Sequence, residues 1–380
     1  MSTGFTHNSV MNRFHRCGAL VAVGLLLSAC TTVPQPTARP ESRPDVVVPE
    51  AWVSAPNPGD ELDSLAVWPT PDGVPWVIAS AKSSHRLVVF DGDDGQRLRS
   101  VGGPGKQPGQ FDRPNGLAVF GDLLLVAERD NHRVQVLQLP AFRPLLTFGD
   151  DVLRAPYGLW VRETAPGELE VFVTDSYMVR KGHGALSKDK ENDWVPPPLA
   201  ELDQRVKRFQ LQEDDAGKVR VQYLGAFGDT GEKGALRMVE SIAGDIARDR
   251  LLIAEEDPRI TRTLREYTLE GRYQRDLATF DADPEGVALW NCDADQTGYW
   301  VAVDQLKPTL FRLFSSADLK PAGTFSGATT ADTDGIALYA AATPRFPGGV
   351  LYAVSEDLSL TAFDLTDVAK ALRLAKACRP

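Results

Sequence analysis

The feature that most constrains this chain is a short phrase that returns along it. Pro114-Asn115-Gly116-Leu117-Ala118-Val119, Pro156-Tyr157-Gly158-Leu159-Trp160-Val161, Pro284-Glu285-Gly286-Val287-Ala288-Leu289 and Thr333-Asp334-Gly335-Ile336-Ala337-Leu338 share the pattern x-x-Gly-apolar-x-apolar. Each is followed by an apolar strand and then by a strand ending in a polar turn, as in Leu123–Ala127 and Arg133–Leu137. A unit repeated at this length buries its faces only against its neighbours. Further short strands, such as Trp76–Ala79, Val171–Thr174, Arg250–Ala254 and Val350–Val354, are separated by Gly, Asp, Asn and Pro. No long helical period appears before Leu365–Ala377. The expectation is an all-β chain. It predicts a β-propeller over residues 50–380, of about six blades, with five or seven also compatible with the length, a short C-terminal helix and the innermost strand of each blade leading to a central channel.

The N-terminus carries a different message. Arg13, His15 and Arg16 precede an apolar run from Ala19 to Leu27. That run is too short to span a bilayer and suits the apolar region of a secretory signal. It ends in Leu27-Ser28-Ala29-Cys30, which resembles a bacterial lipobox. Residues 1–29 are therefore read as a lipoprotein signal peptide, Cys30 as the lipidated residue, and the Pro- and Thr-rich stretch 30–49 as a flexible tether. Thr31, with no Asp at that place, points by resemblance to other lipoproteins to the outer membrane, with the folded body in the periplasm or outside the cell. The lipid would be the only membrane contact. Cys17 would leave with the signal, so Cys292 and Cys378 remain, either as free thiols or as a disulfide permitted by export.

Charge narrows the partners. A net charge of -11 argues against nucleic acid, whose phosphates call for a basic surface. An anionic substrate would need a bound cation to attract it. No His/Cys spacing suits zinc, and no Gly-x-Ser-x-Gly is present. Gly102-Gly103-Pro104-Gly105-Lys106 is not followed by a helical pattern. Acids instead gather where inner strands begin: Asp60-Glu61-Leu62-Asp63, Glu240, Glu255-Glu256-Asp257, Asp283-Pro284-Glu285 and Asp332-Thr333-Asp334. Turn chemistry accounts for any one of them. In a propeller, however, these openings converge at one end of the channel. Crowded carboxylates there would suit Ca²⁺, which accepts many oxygen ligands in loose geometry.

From Asp60 to about Leu374 the order of motifs resembles the β-propeller phytases. Asp60-Glu61-Leu62-Asp63-Ser64-Leu65-Ala66-Val67-Trp68 is similar to their opening signature, with Ser64 and Leu65 in place of its second Asp and its Pro. Ile78–Lys82, Arg113-Pro114-Asn115, Pro156–Leu159, Glu240, Ile253–Asp257, Asp283–Gly286, Asp332–Ile336 and the closing Leu351–Leu372 follow in the family's order. Ala328 stands where many members carry another acid, and Ser176-Tyr177 lacks the family's Lys, with Lys181 nearby. The resemblance implies a monomeric, calcium-dependent phosphatase acting on phytate and other inositol phosphates as calcium complexes. Asp63, Glu240, Glu256, Asp283, Glu285 and Asp334 would hold several Ca²⁺ ions, with Tyr157 completing the shell. Lys82 and Arg113 would clamp phosphate, with Arg129 a further candidate; Tyr157 and Glu240 would also act in catalysis. The alternatives are a non-catalytic envelope scaffold that binds protein or glycan and, third, a calcium-dependent lactonase. Gly109 to Val136 looks like an NHL repeat, a propeller blade type, and the Lys-rich stretch Val179–Gln204 reads as a surface loop or a lid.

Overall fold

The computed structural model describes residues 43–181, 194–213, 218–292, 297–375 and 378. The expected signal peptide, Cys30 and most of the expected tether lie outside the described residues. The rest is a six-bladed β-propeller. The inner strands are Leu62–Trp68, Pro114–Phe120, Pro156–Ala165, Val239–Asp245, Pro284–Asn291 and Ile336–Tyr339. From its inner strand each blade runs outward in chain order through antiparallel neighbours, except where the N-terminal segment adds the outer edge of the fifth and sixth. The middle strands are buried on both faces, which explains why Val77-Ile78-Ala79 and Leu124-Leu125-Val126 read as continuous apolar runs rather than alternating ones. Side chains interleave between blades. Trp52, Ala79, Phe90 and Tyr352 fill one such seam, and Ile78, Phe111, Leu124 and Leu137 the next.

Closure uses the N-terminal segment. The last blade has only three strands from the C-terminal third of the chain, and Trp52–Val53 adds the fourth by pairing with Ala362 and Thr361. Just before it, Val46–Val47 pairs in parallel with Phe325–Ser326 on the outer edge of the fifth blade. The chain is thus bound to the propeller a few residues before the tether boundary expected at residue 49. Pairing the two ends of the sequence removes a sheet edge that would otherwise be exposed.

The C-terminal helix spans Leu365–Ala371, shorter than the pattern suggested, and is capped by Asp364, whose side chain accepts from the Thr366 N–H. Its Leu365, Val368 and Ala369 face the core. Cys292 and Cys378 form a disulfide with Cα atoms 4.8 Å apart, tying the chain's end to the fifth blade. The bridge spans a sequence separation of 86, for which loop-closure entropy predicts a stabilisation of about 4–5 kcal/mol. Cys292→Ser is expected to lower the melting temperature by about 5–10 °C in calorimetry. An unchanged midpoint would mean that the bridge does not restrict the unfolded chain.

In the Val179–Gln204 stretch, Val179–Arg180 pairs with Trp194–Val195, and a 3₁₀ helix covers Leu199–Gln204. Among the described residues no helix is long and apolar enough to cross a membrane.

Four blades share an internal clamp. A fully buried acid at the end of the second strand accepts backbone N–H bonds from the loop that leads into the inner strand. Glu128 takes Asp112 N, Asp175 takes Arg154 N and Ala155 N, Glu255 takes Arg237 N and Met238 N, and Asp304 takes Asp281 N and Ala282 N. A cation on the third strand pairs with three of these acids: Arg133 with Glu128, Lys207 with Asp175, and Arg312 with Asp304. These carboxylates hold loops, which is why they are buried without belonging to the channel mouth.

Candidate metal centre

Five of the six inner strands break register at the same point, between Leu62 and Leu65, Pro114 and Leu117, Pro156 and Leu159, Val239 and Ile242, and Pro284 and Val287. A bulge re-aims the two residues it contains. In each pair the second residue is small, because neighbouring inner strands approach closely there. A Cβ on Gly116 would lie 2.2 Å from the Tyr157 carbonyl oxygen, and one on Gly335 would lie 2.3 Å from that of Asp63. Ser64, Gly116, Gly158, Ser241, Gly286 and Gly335 thus pinch the channel to a cavity of about 80 Å³.

The first residue of each pair gives one polar group per blade: Asp63, Asn115, Tyr157, Glu240 and Glu285, with Asp334 at the matching place ahead of Ile336–Tyr339. Beside them stands a second circle, the residues that follow the second strands. Their backbone N–H groups bond back to the loop before the inner strand: Lys82 to Glu61 O, Arg129 to Arg113 O, Ser176 to Ala155 O, Glu256 to Met238 O and Gln305 to Asp283 O. Residues far apart in sequence are gathered at one mouth by this repeated geometry.

At its centre Glu240, Glu256 and Glu285 each offer a carboxylate oxygen, and these oxygens lie within 4.8 Å of one another. Glu256 and Glu285 are buried, and Glu240 is half-buried. Burial pushes the Glu240 carboxyl up to about 8, with the Asp63 charge adding to it and Lys82 opposing. Glu256 and Glu285 are also pushed well up, by burial and then by the charge of Glu240. Asp334 rises to about 9 through burial, a hydrogen bond with Asp357 and the charge of Asp63. It also accepts from Gln305 Nε2 at 2.7 Å. Burial and Glu240 keep the Tyr157 phenol neutral by raising it well above its ordinary value. Lys82 lies 2.5 Å from Asp63 and 3.8 Å from Glu61. Burial would lower its ammonium, but Asp63, Asp334 and Glu240 outweigh that and raise it. Arg113 reaches Glu61 at 3.3 Å.

The donor set fits a hard cation. Both polar atoms of the fully buried Asn115 side chain, and Glu256 Oε1, have no hydrogen-bond partner. Buried polar atoms left this way are costly. An all-oxygen set of carboxylates, an amide and a phenol matches calcium rather than zinc.

Ten residues were expected at the site. Asp63, Tyr157, Glu240, Glu256, Glu285, Asp334 and Lys82 interact with one another electrostatically. Arg113 joins them through Glu61. Asp283 pairs with Arg262 at 2.6 Å and is not one of the three clustered glutamates, although its charge also raises Glu256; Arg129 pairs with Asp130 at 2.7 Å. Asn115 was legible only as part of an Arg-x-Asn motif. Its place before Gly116 matches that of Tyr157, Glu285 and Asp334, and that is the signal for ring membership. Gln305 carried no such signal.

Residues 111–137 match the NHL repeat. The match covers the second blade from Phe111 into its third strand, where the sequence pattern had placed it. This NHL blade therefore supplies Arg113, Asn115 and Arg129. Among curated proteins none matches the chain by sequence. In a comparison with solved structures, the chain aligns with hydrazine synthase of Kuenenia stuttgartiensis at a TM-score of 0.41 and 13% identity, over 90% of this chain and 83% of that one.

Proposed function

We propose that this propeller is a calcium-dependent phosphomonoester hydrolase for phytate and related inositol phosphates, exported and held at the cell envelope by lipid on Cys30. The observation that carries the reading is the group of three glutamate oxygens within 4.8 Å of one another, flanked by Lys82 and Arg113. Asp63, Glu240, Glu256, Glu285 and Asp334, with Tyr157 and Asn115, would hold the cations. Calcium, when bound, supplies charge neutralisation and water activation. Lys82 and Arg113 provide charged donors for phosphate oxygens. The Tyr157 phenol, kept protonated, donates a hydrogen bond to Glu240 and fixes its orientation. With a net charge of -11, the protein repels a polyphosphate until cations fill the mouth, so the substrate enters as its calcium complex.

The experiment is phosphate release from calcium phytate, with calcium and with a chelator. Release that disappears in chelator is expected. Calcium-loaded, folded protein that releases no phosphate would overturn the reading. It would favour the second one, a non-catalytic envelope scaffold, which the NHL match in the second blade supports.

A further inference from the structure

The sixth blade lacks the clamp that organises four others. Where those blades end their second strands in Glu128, Asp175, Glu255 and Asp304, this one has Ser355, whose hydroxyl accepts only the Ala331 N–H. The missing carboxylate comes from the other end of the chain. Glu50 Oε1 accepts from Thr329 N at 2.9 Å, Thr330 N at 2.7 Å and Thr330 Oγ1 at 2.6 Å, and Oε2 accepts from Ala328 N at 3.1 Å. The space for this group is reserved, since a Cβ on Gly327 would lie 2.1 Å from Glu50 Oε1. Thr330 is fully buried and passes the contact on, its hydroxyl bonding Thr361 and its carbonyl accepting Thr309 N. Four residues further on, the same loop carries Asp334 to the channel mouth.

We infer that Glu50 is a positioning residue for the candidate metal centre, setting the cation affinity of Asp334 from the N-terminal segment. The inference rests on the calcium reading above. In the other clamped blades, the carboxylate and the loop it holds belong to one blade and fold together. In the sixth, the loop is fixed only once the N-terminal segment has docked, so completion of the ring and completion of the site are one event. Four hydrogen bonds to one carboxylate, three from consecutive backbone N–H groups, fix its orientation tightly. Burial would raise its pKa, but these hydrogen bonds outweigh that and hold it below the ordinary carboxyl value. A Gln side chain has the same shape, but only its oxygen accepts, and its NH₂ would face N–H donors.

The test is calcium titration by calorimetry on the purified protein and on Glu50→Gln, Trp52→Phe, Asp334→Asn and the Glu50→Gln/Asp334→Asn double variant. Glu50→Gln is expected to weaken calcium binding about tenfold, as supporting groups of metal ligands do. Trp52→Phe disturbs the neighbouring closure strand without touching the loop, and is expected to lower the melting temperature while leaving the affinity unchanged. In the Asp334→Asn background, Glu50→Gln is expected to add less than about twofold, because residues acting through one group are not additive. Wild-type affinity in Glu50→Gln, equal weakening by Trp52→Phe, or full additivity would each overturn the inference while leaving the calcium reading intact. Wild-type protein that binds no calcium would remove both.

Discussion

Glu240→Gln is expected to reduce calcium-dependent phosphate release by at least about a hundredfold and, at the same time, to raise the melting temperature of the calcium-free protein at pH 9 by about 2–5 °C. The two effects have one cause. Glu240 sits beside Glu256, Glu285 and Asp63, and its carboxyl is pushed up to about 8 by burial and by the Asp63 charge. Above that pH, without a cation, folding must hold mutually repelling carboxylates together. An amide of the same shape removes one charge, relieving the repulsion, but it is a poorer cation ligand. The affinity of the centre falls while the empty fold gains. Release assays and thermal melts in chelator check both halves. A variant that loses activity and also melts lower in chelator would show that Glu240 serves packing rather than cation binding.

The second expectation concerns pH. Glu240 and Asp334 have folded-state values of about 8 and about 9, against ordinary carboxyl values of 4.5 and 3.8. A carboxyl raised on folding binds more protons in the native state. Its contribution to stability is fully present below the unfolded value and is lost as pH rises through the folded one. The calcium-free protein is therefore expected to lose stability steadily between pH 6 and about pH 9, by about 5 °C or more in melting temperature. Saturating calcium binds the deprotonated carboxylates and is expected to flatten or reverse that slope. Melts across this range, with and without calcium, decide the matter. A flat profile in chelator would show that the carboxylates do not share a low-dielectric site.

Much of the architecture was legible from the sequence. The Gly of each x-x-Gly phrase marks a place where one strand's backbone passes the next too closely for a Cβ, as at Gly116 and Gly335. Close approach of that kind leaves a local mark, and so does the period-2 alternation of the inner strands. The bulge itself was not legible, although it is what turns Asp63, Tyr157, Glu240 and Glu285 toward the channel. Nor could adjacent acids be sorted. Glu255 and Glu256 are neighbours, yet one clamps Arg237 N and Met238 N while the other lies in the carboxylate cluster. Asp283 and Glu285 differ in the same way, because Arg262 reaches only the first.

The sequence by itself determined the repeated blade and the mouth at which its acids would gather, since each is written in spacing along short stretches of chain; the joining of Cys292 and Cys378, left open by the sequence, was decided by the fold. The tertiary structure alone decided which carboxylates hold loops and which face one another, because that depends on cations and backbone donors from other strands. It also decided that Glu50 would complete a blade 278 residues away. A propeller closes by bringing its two ends together, and the contacts made at that seam follow from the curvature of the whole ring, which no local segment encodes.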